Sequence, residues 1–252
     1  MDLIEILNED GSGSGLHKKR ADVHRDGDLH GSAHVWLIRN VRQDGRFEVL
    51  LQRRSDDKDS YPGCLDTSSA GHVDVGETFR SAAERELAEE LGITEMDALM
   101  FLFDHRVYWE AQFHGSRFVN NEISRIYALV CDRPAEAFLF QREEISSLCW
   151  QDAHQVLAAL RDNDPRYCIH LPIFERLAEA VQAMRHYTIH VSDYASAPDA
   201  GSYAGSDEWT YHETYDFFGT ETAAAERAQQ YVKAFHEDVS PYLASVTWWL
   251  TD

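Results

Sequence analysis

A single stretch of 23 residues, GHVDVGETFRSAAERELAEELGI at positions 71–93, constrains the fold of this chain most strongly. Glycines punctuate its first half. Its second half carries apolar side chains at helical spacing, namely Phe79, Ala82, Ala83, Leu87 and Leu91. Gly92 then supplies a helix stop. We therefore expect a loop and then a helix from about Thr78 to Leu91, with its apolar face against a core.

The same helix carries three glutamates, Glu86, Glu89 and Glu90, close together on its surface. Like charges at three- and four-residue spacing destabilise a helix. Either water simply solvates these carboxylates, as on most acidic helix faces, or a bound cation offsets their repulsion. Clustered carboxylate oxygens suit hard cations such as Mg²⁺ or Mn²⁺. The glutamates are therefore candidate metal ligands.

The loop before the helix offers groups that would complete such a site. Gly71 lets a backbone carbonyl approach the same cation, because glycine has no side chain in the way. Arg85 follows Glu77 by eight residues, and an ion pair between them would hold the loop and the helix in register.

Most of the remaining chain up to residue 185 is predicted to form strands, on the basis of alternation and of β-branched and aromatic content. A strand, LIEIL, comes before a flexible GSGSG turn, and further strands are expected at residues 33–38, 47–53, 98–109 and 122–131. Besides the helix already described, helices are expected from about Gln151 to Leu160 and from Pro172 to near Arg185. Helices against a mixed sheet indicate an α/β or α+β sandwich.

The composition changes after His186. Residues 187–252 contain 11 acidic and 2 basic side chains, and the run SAPDAGSYAGSDE is typical of a loop. Strands are expected at YTIHV, WTYHETYDFF and ASVTWWL, with a helix at about 221–236. We predict two domains, residues 1–185 and an acidic, aromatic-rich α+β extension at residues 186–252 whose role the sequence does not define.

Charge narrows the range of partners. The chain has 44 Asp and Glu against 23 Lys and Arg, a formal charge of -21. The resulting negative electrostatic potential repels nucleic acid and anionic lipid. Small phosphorylated metabolites remain possible ligands, because a metal ion or a few cationic side chains can attract phosphate locally. The N-terminal residues do not show a basic segment followed by an apolar one, and no run of ~20 apolar residues follows. We therefore expect no membrane-spanning segment and a cytoplasmic protein.

Gly71, Glu77 and the run Arg85-Glu86-Leu87-Ala88-Glu89-Glu90-Leu91-Gly92-Ile93 resemble the Nudix box at every specified position. Resemblance to this hydrolase superfamily implies an α/β/α sandwich and divalent-metal binding by Glu86, Glu89 and Glu90. It also implies hydrolysis of a nucleoside diphosphate linked to another group, with Glu89 and Glu90 as catalytic residues. A homodimer is an expectation that rests on the family alone.

Residues 1–185 further resemble the Nudix branch related to isopentenyl-diphosphate isomerase, through KKRADVHRDGDLH, HVWLI and LLQRRSDDKDSYPGCLDTSSAGH. The resemblance implies diphosphate binding by Arg54 and Lys58. It also implies that His24, His30 and His72 line the site near a metal, although two of them, His24 and His30, could equally be surface histidines. Glu122 matches an acidic position of the isomerase site, which makes it a candidate general base or additional metal ligand.

Isomerase activity itself is disfavoured by three departures. Ala70 stands where the isomerase needs a reactive cysteine, Ile173 stands where it has a tryptophan, and Asn120 replaces a metal-binding glutamate. Hydrolysis is therefore preferred over isomerisation and over a non-catalytic nucleotide sensor, because a sensor has less reason to keep all three box glutamates. Trp36, Tyr61 and Trp109 could stack on a base, although core packing is the more frequent fate of such aromatics.

Overall fold

The computed structural model describes residues 3–58, 60–113, 115–193, 212–238 and 246–251. Along the chain the elements are β1 (Leu3–Leu7), β2 (Gly13–Lys19), α1 (Arg20–Asp26), β3 (His30–Arg39), β4 (Glu48–Arg54), β5 (Leu65–Asp66), β6 (Ser69–His72), α2 (Phe79–Leu91), β7 (Met100–Phe113), β8 (Ser116–Val130), β9 (Ile145–Asp152), α3 (Ala153–Arg161), α4 (Leu171–Gln182), β10 (Arg185–Asp193), β11 (His212–Gly219), α5 (Glu221–Asp238) and β12 (Val246–Thr251). The chain divides into two compact units, Met1–Gln182 and Ala183–Asp252.

Strand β3 organises the first unit because four other strands pair with it. It runs parallel to β8 from His30 to Ile38 and antiparallel to β1, β4 and β6. The sheet continues from β8 to β7, and from β4 to β5 and β9. One strand thus brings residues distant in sequence onto a common surface.

The two faces of β3 have different roles. Ala33, Val35 and Leu37 are fully buried in a core that includes Leu87 and Leu91 of α2. Because side chains alternate along a strand, the intervening positions, His30, Ser32, His34 and Trp36, face the other side of the sheet. This second face carries polar and aromatic side chains, and the candidate site lies there.

Helix α2 is closed at both ends by local hydrogen bonds. At its start the backbone N–H of Ser81 donates to Thr78 Oγ1 (3.1 Å), and the Thr78 N–H donates to Ser81 Oγ (2.8 Å), which forms a capping box. At its end Gly92 adopts a left-handed conformation (φ 63°), and its N–H donates to the Ala88 carbonyl. The predicted helix and its apolar stripe are confirmed.

Several other sequence predictions were wrong in detail. Only the first two residues of GSGSG, Gly11 and Ser12, lie in a turn, whereas Gly13, Ser14 and Gly15 belong to strand β2, which pairs with β1. Strand β9 was not predicted, and the helix expected from Gln151 begins at Ala153, where the Asp152 carboxylate accepts hydrogen bonds from the first turn. The helix expected to end near Arg185 ends at Gln182, and Arg185 begins a strand. Helix α1 was missed as well.

The second unit pairs β10 with both β11 and β12 and packs α5 against this sheet. The predicted strands and helix of this region are present where the structure describes them, whereas the predicted loop SAPDAGSYAGSDE lies outside the described residues. The predicted boundary at 185/186 falls close to the division between the units. Among the described helices, none combines the length and apolarity that crossing a membrane requires.

Candidate active site

A cavity of about 450 Å³ lies between the loop and helix of the 71–93 stretch and the second face of β3. The glutamates Glu86, Glu89 and Glu90 form one part of its wall. Cationic side chains from other elements also line it, namely Arg20, Arg54, Lys58 and Arg85. His72 and Glu122 line the cavity too, so that carboxylates, cations and imidazole meet in one space.

Arg85 joins the loop to the helix at the edge of this cavity. Its Nε and Nη2 donate to the two carboxylate oxygens of Glu77, at 2.8 and 3.0 Å, and Nη2 also donates to the His72 carbonyl at 3.0 Å. Nη1 donates to Glu86 (2.6 Å) and to Glu89 (3.3 Å). Hydrogen bonding to Glu77 raises the pKa of Arg85 further above its already high value. One guanidinium therefore orients three carboxylates.

Gly71 lies directly against Glu86. A methyl group added at its Cα would overlap the Glu86 carboxylate, so only glycine lets that side chain adopt its position. Gly71 on β6 pairs with Ala33 on β3, which fixes the position of its backbone in the sheet. The glycine thus provides the space in which Glu86 and a cation can approach the backbone.

Glu86 and Glu90 are poorly solvated. Glu90 is 7% exposed, and its Oε2 accepts a hydrogen bond from the Ala70 N–H at 3.3 Å. Burial, with a smaller contribution from the charge of Glu86, raises the pKa of Glu90 to about 7. Burial also raises the pKa of Glu86, although Arg85 opposes this. A buried and a partly buried carboxylate one helical turn apart form a donor set that fits a hard divalent cation.

The two cations predicted to bind diphosphate both line the cavity and both have acidic neighbours. Arg54 donates to Asp66 (3.0 Å) and to the Ser60 carbonyl (3.1 Å). Lys58 forms an ion pair with Glu144, and burial lowers its pKa. Both reach the cavity from the side of β4, whereas the box glutamates belong to α2.

The three predicted histidines converge although they come from α1, β3 and β6. Ligand atoms of His24, His30 and His72 all lie within 4.8 Å of one another, and His24 Nε2 is 3.1 Å from His72 Nε2. Asn120, which stands at an acidic position of the isomerase, is buried on the adjoining strand β8.

The protonation of these rings suits a metal. His24 Nδ1 donates to the Val119 carbonyl (3.1 Å) and His30 Nδ1 to the Asp28 carbonyl (2.9 Å), so the Nε2 atom of each ring is the one available to the cluster. His30 Nε2 is buried and has no hydrogen-bond partner among the described residues. Burial, followed by the charge of His30, lowers the pKa of His24 to about 4, and burial lowers that of His72 well below its usual value. His24 and His72 are therefore neutral, as metal ligands must be.

Glu122 completes this histidine cluster. It pairs with His30 across the parallel β3–β8 ladder, and its Oε1 lies 3.4 Å from His30 Nε2 and 3.7 Å from His72 Nε2. Ser32 Oγ donates to Glu122 Oε2 at 3.0 Å. Burial acts to raise the pKa of Glu122, but the neighbouring histidine rings outweigh it and lower the pKa. Glu122 is therefore held ionised beside the three histidines.

A second cavity, of about 200 Å³, adjoins the first. The two share several lining residues, namely Arg20, His34, Arg54, Asp66, Ala70, His72 and Glu122. Its other walls are largely apolar and aromatic and include Ile173, Trp36, Tyr61 and Trp109. Trp36 is buried and packs edge-to-face on Phe174, as a core residue would, yet it also lines this cavity. A polar cavity and an aromatic one are thus continuous.

Comparison with known proteins identifies the family. Residues 29–171, more than half of the chain, match the NUDIX domain. The chain belongs to the Nudix hydrolase family. Members of the Nudix family generally act on nucleoside diphosphate-linked substrates and generally use divalent metals.

Relatives of this Nudix chain include both hydrolases and an isomerase. It is 39% identical over 167 residues to Nudix hydrolase 3 of Arabidopsis thaliana, a match that covers 65% of this chain but 21% of that protein. It is 30% identical over 172 residues to isopentenyl-diphosphate Delta-isomerase of Saccharopolyspora erythraea, covering 66% of this chain and 81% of the isomerase. The predicted resemblance to both branches is confirmed, and the chain spans about a fifth of its Arabidopsis relative.

A solved structure supports the Nudix fold. The crystal structure of DR0079 from Deinococcus radiodurans superposes with a TM-score of 0.51 at 22% identity, over 69% of this chain and 98% of that one. The mixed, curled sheet with flanking helices confirms the predicted sandwich class.

Two residues of the Nudix site were missed from the sequence. Arg20 lines both cavities from the start of α1, and a signal was available, since it lies one helical turn before His24. His34 also lines both cavities, at the position that pairs with Ala70 across β3 and β6, and its Nε2 is 3.3 Å from Ser32 Oγ. Only the alternation of β3 could have indicated that it shares a face with His30.

Proposed function

We propose that this protein is a divalent-metal-dependent Nudix hydrolase that cleaves a phosphoanhydride bond in a nucleoside diphosphate-linked or related small metabolite. The observation that carries the proposal is the meeting of Glu86, Glu89 and Glu90 with Arg54 and Lys58 around one cavity. This chemistry requires carboxylates that hold a cation and side chains that neutralise the charge of phosphate.

The metal-binding role falls to Glu86, Glu89 and Glu90, with the Gly71 carbonyl as a further ligand and Mg²⁺ or Mn²⁺ as the ion. Support comes from the burial of Glu90, the partial burial of Glu86 and the close approach of the Glu86 carboxylate to Gly71, which together place oxygen donors suited to a hard cation. When bound, such an ion neutralises charge on the phosphate oxygens and lowers the pKa of water. Glu77 and Arg85 serve as the brace that positions these ligands.

Diphosphate binding falls to Arg54 and Lys58, joined by Arg20. A guanidinium can present two parallel donors to phosphate, and the ion pairs with Asp66 and Glu144 hold Arg54 and Lys58 at the cavity until the substrate phosphate replaces the carboxylate.

Among carboxylates outside the box, Glu122 is the candidate general base or additional ligand. With His24, His30 and His72 it forms a second cation site, which the free lone pair on the buried His30 Nε2 supports.

Isopentenyl-diphosphate isomerisation is the second candidate. The histidine and glutamate cluster and the 30% identical isomerase relative favour it. Ala70 argues against it, because alanine has no group that moves a proton at the position of the isomerase cysteine. Ile173 lines the aromatic cavity in place of a tryptophan that would stabilise positive charge.

The test is incubation of the purified chain with Mg²⁺ and, separately, with EDTA. The panel contains nucleoside diphosphates and triphosphates, dinucleotides, nucleotide sugars and isopentenyl diphosphate. We expect Mg²⁺-dependent release of phosphate or nucleotide from one class of substrate. Formation of dimethylallyl diphosphate without hydrolysis would establish the isomerase instead, and tight nucleotide binding without turnover would establish a sensor.

A further inference from the structure

Two serines lie beside the carboxylate of Glu122 on the polar face of the sheet. Ser32 pairs with Ser124 across the parallel β3–β8 ladder, two residues further along each strand than the pair of His30 with Glu122. Because side chains alternate along a strand, these four residues project from the same face. Ser32, Ser124 and Glu122 are all buried. A small polar group is thus enclosed next to the histidine cluster.

Both serine hydroxyls contact the same oxygen of that carboxylate. Ser32 Oγ donates to Glu122 Oε2 at 3.0 Å, and Ser124 Oγ donates to the same atom at 3.4 Å. The two hydroxyl oxygens lie 3.0 Å apart. The other oxygen, Oε1, lies 3.4 Å from His30 Nε2 and 3.7 Å from His72 Nε2. One oxygen is therefore held by hydroxyls while the other faces the histidine cluster.

The serines explain why the two oxygens have different surroundings. The terminal torsion of a glutamate side chain is broad, so Glu122 alone does not fix the plane of its carboxylate. Hydrogen bonds to an ionised acceptor are stronger than those between neutral groups, and they restrict this torsion. The main chains of β3 and β8 are paired on both sides at Ser32 and Ser124, which leaves the hydroxyls to bond with other side chains.

These contacts concern the second cation site that we assign to Glu122 and the histidines, so the following inference rests on that part of the proposed function. We propose that Ser32, supported by Ser124, is a positioning residue that holds the Glu122 carboxylate with Oε1 towards the cation. Both serines act through the carboxylate. Ser124 contributes less than Ser32, because its hydrogen bond to Oε2 is longer.

Titration of the full chain with Co²⁺ tests the proposal without relying on turnover. This ion binds imidazole and carboxylate ligands, and its visible absorption depends on their number and geometry. Binding at the cluster is the part of the signal that His30→Ala weakens. We expect Ser32→Ala to weaken this binding about tenfold or more and to change the spectrum of the bound ion, with a loss of about threefold for Ser124→Ala.

Ser68→Ala is the matched control for the loss of a buried hydroxyl. Ser68 is fully buried, and its Oγ donates to the Leu50 carbonyl at 2.6 Å and accepts from the Leu37 N–H at 2.8 Å. Its removal should lower the melting temperature, because it leaves buried main-chain groups without a partner. The affinity and the spectrum of Co²⁺ should nevertheless stay at the wild-type values. Equal losses of affinity in Ser68→Ala and Ser32→Ala would contradict a specific role of Ser32.

A double-mutant cycle separates positioning from packing. Glu122→Ala removes the carboxylate, so adding Ser32→Ala to this variant should change the Co²⁺ affinity by less than about twofold. The same loss in the presence and absence of Glu122 would show that Ser32 acts by packing, against the proposal. Should Ser32→Ala not fold, Ser124→Ala takes its place in the cycle, with the same criterion.

The outcomes distinguish this inference from the proposed function. Equal Co²⁺ affinity and identical spectra for the wild type and Ser32→Ala would overturn the positioning role and leave the second cation site intact. Absence of any Co²⁺ signal that depends on His30 would contradict the cation site and, with it, the role of the serines. Serine-dependent Co²⁺ binding without Mg²⁺-dependent hydrolysis would support the positioning role and contradict the hydrolase assignment.

Discussion

Arg85 and Glu77 form two parallel hydrogen bonds, of 2.8 and 3.0 Å, that connect helix α2 to the loop preceding it. Both side chains are about three-quarters buried. The same guanidinium contacts Glu86 and Glu89, so the position of these proposed metal ligands depends on this pair. Arg85 therefore fixes the positions of both the loop and the carboxylates of Glu86 and Glu89.

Replacing Glu77 by glutamine should therefore weaken both stability and activity. We expect a loss of about 1–2 kcal/mol in the free energy of unfolding, because one charged partner of a partly buried pair is removed. Activity should fall about tenfold or more as Arg85 loses its anchor. Glu84→Gln is the matched control, since it breaks a more exposed pair with Arg80 on the same helix and should cost less than about 0.5 kcal/mol. Urea melts and turnover rates distinguish the two; equal effects would contradict the brace.

Gly71→Ala should reduce affinity for Mg²⁺. The new methyl group would displace the Glu86 carboxylate, so the Mg²⁺ concentration giving half-maximal activity should rise about tenfold or more. The control is Gly13→Ala, which crowds the Glu5 carboxylate in the same way but lies on β2, outside the cavity. An unchanged Mg²⁺ titration for Gly71→Ala would show that Glu86 does not bind the ion.

The histidine cluster should bind a divalent metal separately from the box glutamates. Removal of one imidazole by His30→Ala should lower Mn²⁺ or Zn²⁺ affinity at least about tenfold by calorimetry, because the ring supplies a lone pair with no other partner in the described structure. The exposed His154 offers a control as His154→Ala. Equal affinities of the wild type and His30→Ala would mean that the cluster is held together without metal.

Glu90 should make the metal-free protein less stable as the pH rises. Its pKa is about 7 in the folded state against an ordinary value of 4.5, so between these values the folded state binds more protons than the unfolded one, and stability falls with increasing pH. The full effect is about 3 kcal/mol. Glu90→Gln does not titrate, so in EDTA the wild type should lose stability relative to this variant from pH 4 to pH 8. A difference in melting temperature between the wild type and Glu90→Gln that stays constant across this pH range would contradict the raised pKa.

The box was predictable because its geometry is local. A helix beginning at Thr78 necessarily brings Glu86 and Glu90 within one turn of each other, and the partner of Arg85 lies only eight residues away. The histidines could be proposed only through resemblance, since His24 and His72 are separated by 48 residues and meet through the pairing of β3 with β6 and the packing of α1.

The parts that could not be predicted depend on contacts between distant segments. Whether Trp36 lines a cavity or only packs in the core is decided by β7 and α4, which supply Trp109 and Phe174 on the same face of the sheet. The GSGSG segment has the composition of a turn, but its last three residues, Gly13 to Gly15, form a strand through main-chain pairing with β1 and a hydrogen bond from the Gly15 N–H to the Glu5 carboxylate. The amino-acid composition of a segment does not reveal which strand its main chain pairs with.

The central claim is that the box glutamates hold the metal for hydrolysis, and matched glutamine substitutions test it most directly. With the best substrate of the panel and saturating Mg²⁺, the turnover rates of Glu89→Gln and Glu90→Gln should fall about 100-fold or more. Glu84→Gln on the same helix should keep the wild-type rate, and all three should retain the folded structure by circular dichroism. Wild-type turnover by Glu89→Gln and Glu90→Gln would contradict the account.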